Sequence, residues 1–187
     1  MNKNKTKTIA ITAVLVALSF VMPYFMPTIT LPFTTFTLFS HVPIIIAMFI
    51  SPYTAIMSCI GTTLAFFLKS PPIVALRAAS HIVFIIPGAF AIKKGIITKG
   101  LNIALGGVVT GLIHAVAEII VVAVFMAINH QEITIYYIMI EVGLITLAHH
   151  CIDYSFSLLV YNSCSKARLL ENKFCFSIKK TSKNVNA

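Results

Sequence analysis

The stretch Leu101–Ile128, LNIALGGVVTGLIHAVAEIIVVAVFMAI, decides the fold class. No lysine, arginine, aspartate or proline interrupts it, and it exceeds the about 20 apolar residues that a helix needs to cross a bilayer. Gly106, Gly107 and Gly111 suit close packing against another helix. The rest of the 187-residue chain has the same character: 58% of residues are hydrophobic, 10% are charged, and mean hydropathy is +0.95. A soluble domain carries about 25% charged residues. Here there is too little polar surface to cover one domain, so the excess faces lipid.

Working outward from that helix, prolines and short polar turns cut the chain into six apolar spans, approximately 8–24, 38–50, 52–68, 73–92, 101–128 and 135–161. Pro52 suits a first helical turn, and Pro87-Gly88 marks a bend within the fourth span. Phe25 to Thr37 is uncharged and rich in Thr, Pro and Phe, which predicts an irregular or short-stranded loop. The expectation is one all-α membrane domain over 1–163 with a basic tail over 164–187. No A-x-A cleavage site follows the first span, so that span is expected to stay in place.

The net charge of +9 would suggest nucleic acid in a soluble protein, but no aromatic platform is interleaved with the basic residues. They cluster instead at Lys3, Lys5 and Lys7, at Lys93, Lys94 and Lys99, and in the tail at Lys166, Arg168, Lys173, Lys179, Lys180 and Lys183. With six spans and the N-terminus inside, all of these are cytoplasmic and the outer loops keep only Lys69. Both ends are therefore expected inside a multi-pass protein of the bacterial cell membrane, with no nucleic-acid partner. The 4 cysteines form no C-x-x-C pair and read as small hydrophobes.

One basic residue remains, Arg77, within a span. Ionisable side chains are expensive in a bilayer and mark functional sites. Here they are Arg77, His81, His114, Glu118, Glu141, His149, His150 and Asp153, all on the last three spans. Arg77 and His81 are four residues apart, as are His114 and Glu118, so each pair shares a helix face. Glu141, His149 and Asp153 share another. Three polar stripes on successive helices can converge on one cavity holding both charge signs. Blander readings stand beside this: Arg77 neutralised by Glu118 or Glu141, His114 bonded to Glu118, one of His149 and His150 structural, His41 interfacial, Asp153 serving packing or gating.

No H-x-x-x-H or H-E-x-x-H pair appears, and Arg77 would repel a cation, so no metal is expected. No G-x-S-x-G or other nucleophile motif points to an enzyme. A stand-alone proton-coupled carrier built on Glu118, Glu141 and His149 stays open, as does a membrane scaffold with no ligand. On the first span, Ala13-Val14-Leu15-Val16-Ala17 is a small-x-x-x-small pattern that admits a close helix, from this chain or a partner.

Together, the length, six spans with both ends inside, Ala13-x-x-x-Ala17, the charge-free loop and the polar residues on the last three spans resemble the S components of energy-coupling factor (ECF) vitamin transporters. The likeness covers Thr8 to Ser163. It implies that Ala13 and Ala17 dock on a membrane coupling subunit, that two cytoplasmic ATPases supply energy, and that the loop after the first span is a lid over a water-soluble vitamin. The segment Ser40-His41-Val42-Pro43-Ile44 to Ser51-Pro52, with Arg77-Ala78-Ala79-Ser80-His81, resembles the niacin-type members. Nicotinate is a small planar carboxylate suited to a forked pair of bonds from Arg77. The expected contacts are Arg77, His81, His114, Glu118, Glu141, Tyr137 and His149, with Phe39, Phe66, Phe67 or Tyr137 against the ring. The absence of Trp argues against a thiamin-type site, whereas pantothenate, biotin and a queuosine precursor stay open. With no G-x-x-x-x-G-K-[ST] loop, the chain is expected to carry no nucleotide or other cofactor itself.

Overall fold

The structure, a computed structural model, describes residues 3–30, 35–132, 134–171 and 173–175. The centre of the expected lid, 31–34, and the tail lysines Lys179, Lys180 and Lys183 lie outside the described residues. The described chain is mostly helical. Helix α1 (Lys3–Phe25) leads into a short antiparallel hairpin, β1 (Thr28–Thr30) with β2 (Thr35–Thr37). Then come α2 (Val42–Ile50), α3 (Pro52–Lys69), α4 (Pro72–Ser80), α5 (Ile82–Lys93) and α6 (Leu101–Ile128). A π-helical segment, Tyr137–Leu144, runs directly into α7 (Ile145–Lys166).

Among the described residues, four stretches are long and apolar enough to cross a membrane: Lys5–Phe25, Pro72–Lys93, Leu101–Ile128 and Tyr137–Lys166. Helix α2 is a different object. Its 9 residues reach about 14 Å at 1.5 Å per residue, under half the bilayer's apolar thickness, and all from Val42 to Phe49 are buried. It is a core helix enclosed by the longer ones. It opens at Val42 because Leu38 to His41 form a tight turn, with Phe39 at a φ of 59°.

Helix α6 shows how the fold is stabilised in lipid. Its inner face carries Gly106, Gly107, Thr110, Gly111, His114 and Glu118, all buried, while Leu105, Val109, Leu112, Val116 and Ile120 face outward. Large apolar groups lose nothing by facing acyl chains, so the small and polar ones are turned to the interior. A Cβ added to Gly107 would lie 2.6 Å from the Tyr154 ring of α7. That close approach lets the Tyr154 hydroxyl donate to the Ile103 carbonyl at 3.1 Å.

Helices α1 and α3 run parallel. Thr12 bonds Thr54 (3.0 Å), Thr62 donates to the Ser19 carbonyl (3.2 Å), and the Tyr24 hydroxyl donates to the Ala65 carbonyl (3.4 Å). These bonds occupy one face of α1. Ala13 and Ala17 lie on the opposite, exposed face with Val14 and Leu18, so the chain's own packing does not use the small-residue motif.

The expected fourth span is interrupted at His81, not at Pro87, which sits inside α5. At the joint the His81 amide reaches back to the Ala78 carbonyl in a tightened turn (3.3 Å). The interruption turns the His81 ring inward. Both described ends of the chain gather at one end of the bundle: Lys173 donates to the Ile50 carbonyl (2.7 Å), and Cys175 pairs with the Thr98–Gly100 strand edge. The hairpin covers the other end.

Candidate functional site: a buried histidine and ion-pair cavity

Beneath the hairpin lies a cavity of about 80 Å³. The hairpin supplies Thr28, Thr35, Phe36 and Thr37 to its wall, and Phe66 and Lys69 come from the end of α3. Lys69 also donates to the Pro23 carbonyl, tying the ends of α1 and α3 together. The floor is made of His41, Arg77, His81, His114, Glu118, Thr146 and His149.

Each floor residue is delivered by a local feature. His41 ends the turn before α2, His81 sits at the α4–α5 joint, His114 and Glu118 occupy the inner face of α6, and His149 the inner face of α7. The Arg77 guanidinium donates from Nε (3.1 Å) and Nη2 (2.8 Å) to one Glu118 oxygen, Oε2. Thr146 donates to the same oxygen at 2.7 Å, and Arg77 Nη1 reaches the Thr35 carbonyl of the hairpin at 3.3 Å. Arg77 therefore links the hairpin to the floor.

His41 is the hub of the remaining contacts. Its Nδ1 lies 3.0 Å from Asp153 Oδ2 and its Nε2 lies 3.1 Å from His81 Nε2. Its ring packs edge-on to His81, His114 and His149, with centroids 4.5, 5.0 and 4.7 Å away. Deeper still, His114 Nδ1 meets His150 Nδ1 at 3.2 Å and His150 Nε2 meets Thr110 Oγ1 at 3.1 Å. Buried charges persist only when paired and hydrogen-bonded, and Arg77 with Glu118 meets that condition.

The cavity brings together Arg77, His81, His114, Glu118 and His149. It leaves out two residues expected at a ligand. Tyr137 lines a separate cleft with Phe125, Gln131 and Glu132. Glu141 is buried but not in the cavity wall; it shares a face with His149, yet two helical turns separate them along the axis. Of the aromatics named for the ring, Phe66 is in the wall, whereas Phe67 is exposed and Phe39 packs on Phe156. His41 and Asp153, read from sequence as interfacial and as packing or gating, form the centre of the floor and its backing.

The chain is 32% identical over 172 residues, 88% of its own length and 78% of the relative's, to the niacin transporter NiaX of Lactococcus lactis subsp. cremoris (strain MG1363). It belongs to the niacin-type S components of ECF transporters. No family model and no solved structure matches the chain. This S component is thus a multi-pass protein of the cell membrane, and its relative is a transporter.

The site's chemistry fits a binding pocket. Guanidinium, hydroxyl and imidazole groups offer donors and acceptors around one small space in which Phe36, Phe66 and Val74 supply apolar surface, a composition suited to a small polar molecule.

Proposed function

We propose that this S component binds niacin, as nicotinate, in the cavity beneath the hairpin and hands it to an ECF importer. The observation that carries the reading is the Arg77-bearing cavity enclosed by the hairpin, in a chain related to a niacin transporter. The nicotinate carboxylate is assigned to the Arg77 side of the floor, where a guanidinium offers planar, forked donors. The pyridine ring is assigned to Phe36 and Phe66, and its nitrogen to His149, whose Nε2 has no hydrogen-bond partner among the described residues. Tyr137 and Glu141 are assigned no ligand contact.

The chain runs with both ends in the cytoplasm and the hairpin outside, the short enclosed α2 returning it inward between α1 and the parallel α3. Lys5, Lys7, Lys93, Lys94, Lys99, Lys166, Arg168 and Lys173 belong to segments at the end of the bundle away from the hairpin, which supports that orientation. Vitamin then enters from outside under the lid. Release inward draws on a membrane coupling subunit docked on the exposed Ala13–Ala17 face of α1, with ATP hydrolysed by two partner ATPases. The chain itself needs no cofactor for this.

One observation favours a second reading, a proton-coupled carrier working alone. Polar groups run in file from Asp153 through His41, His81 and Glu118 to His114, His150 and Thr110, hydrogen-bonded except at Glu118, which stands 3.8 Å from His81 and 3.3 Å from His114. The two readings separate in liposomes holding only this chain. The importer reading expects no uphill nicotinate uptake under a pH gradient; gradient-driven, ATP-independent accumulation would favour the carrier.

A further inference from the structure

The hydrogen-bond pattern of the cavity floor leaves a buried histidine lone pair facing a carboxylate. The Thr110 hydroxyl donates to the Gly106 carbonyl at 2.7 Å, so His150 Nε2 must donate to Thr110 Oγ1. A neutral His150 then accepts at Nδ1 from His114 Nδ1, which leaves His114 Nε2 without a proton. That atom is buried, has no hydrogen-bond partner among the described residues, and faces Glu118 Oε1 at 3.3 Å. A lone pair opposite a carboxylate oxygen is repulsive unless a cation lies between them.

His41 offers a second ligand atom. Its Nδ1 donates to the Asp153 carboxylate, so its Nε2 is unprotonated and accepts from His81 Nε2 at 3.1 Å; a cation takes the place of that proton, which moves to His81 Nδ1, buried and without a hydrogen-bond partner among the described residues. One ring nitrogen from each of His41, His81 and His114 lies within 4.8 Å of the other two. Ligands at about 2.0–2.1 Å on neighbouring tetrahedral corners stand roughly 3.3 Å apart, close to the spacings found here. Glu118 Oε1 lies 3.8 Å from His81 Nε2 and offers a fourth ligand.

We infer that His41, His81 and His114, with Glu118 Oε1, form a site for a divalent first-row transition cation of the zinc class. Imidazoles with one carboxylate suit zinc, cobalt and nickel over magnesium or calcium. The outer groups are those that ordinarily orient such ligands: Asp153 holds His41, His150 holds His114, and Arg77 with Thr146 holds Glu118 through Oε2. Arg77 is not a bar to the cation, because Glu118 pairs with it at 2.8 Å. The inference stands on these contacts and not on the identity of the transported vitamin.

The test uses the full chain, purified without a polyhistidine tag, stripped with chelator and titrated with Zn²⁺ or Co²⁺ alone. The expected result is one equivalent bound per chain, with the intense visible absorption of tetrahedral Co²⁺. His81→Asn and His114→Asn abolish that spectrum, and Asp153→Asn weakens binding about 10–100-fold, the usual effect of removing an orienting partner. His130→Ala, in an exposed turn, leaves it unchanged. Thermal unfolding of each variant confirms that it is folded. If wild-type protein retains no equivalent, a proton on His114 satisfies Glu118 instead and the inference is overturned. Retention undiminished in folded His81→Asn and His114→Asn would overturn it equally. Nicotinate binding to the stripped protein, measured in parallel, reports separately on the function proposed above.

Discussion

At the scale of single residues, the buried Arg77–Glu118 ion pair carries expectations for both stability and ligand binding. Leaving one member of a buried ion pair without the other costs about 3–5 kcal/mol. Arg77→Met should therefore lower thermal stability and abolish nicotinate binding together. Replacing both partners, Arg77→Met with Glu118→Met, should restore much of the stability but not the binding. Nicotinate bound by the double variant with wild-type affinity would remove Arg77 from the ligand site. The sequence made this pair legible, because a charge inside a span requires a partner and Glu118 is one of few available. It did not make His41 legible. That residue stands at the head of an apolar run, where an interfacial histidine is the ordinary reading. Only the shortness and enclosure of α2 turn that position into the floor of a cavity.

At the scale of elements, α1 and the α6–α7 pair carry separate expectations. Ala13 and Ala17 lie exposed while Thr12 and Ser19 bond to α3. Ala13→Trp or Ala17→Trp should leave nicotinate affinity unchanged in purified protein and abolish uptake in cells that hold the complete importer. Equal loss of binding and uptake would assign the motif to internal packing. For α6, Gly107→Leu must push Tyr154 aside. Overpacking of this kind costs about 1–3 kcal/mol, and it should also weaken nicotinate binding by displacing Thr146 and His149 on α7. The helical character of these elements was readable from apolar run length and glycine spacing. The interruption at His81 was not, since no proline or glycine marks it; nor was the π-helical segment over Tyr137–Leu144, although the spacing from Glu141 to His149 already sets them about 12 Å apart along a helix.

At the scale of the whole molecule, the account places the hairpin outside the cell and the basic end inside. A membrane-impermeant thiol reagent on intact cells should label Lys69→Cys but reach Cys175, exposed at the other end of the bundle, only after permeabilisation. The reverse pattern would invert the topology. Composition made the membrane class plain, while the division between membrane-crossing helices and the enclosed α2 depends on tertiary packing that a hydropathy count does not register. The central claim is that one nicotinate binds this chain alone. Calorimetric titration of purified, partner-free protein with nicotinate, against thiamin, pantothenate and biotin under the same conditions, tests it most directly. The account predicts submicromolar affinity at one site for nicotinate and no comparable binding of the others; no heat with nicotinate, or tight binding of another vitamin in its place, would contradict it.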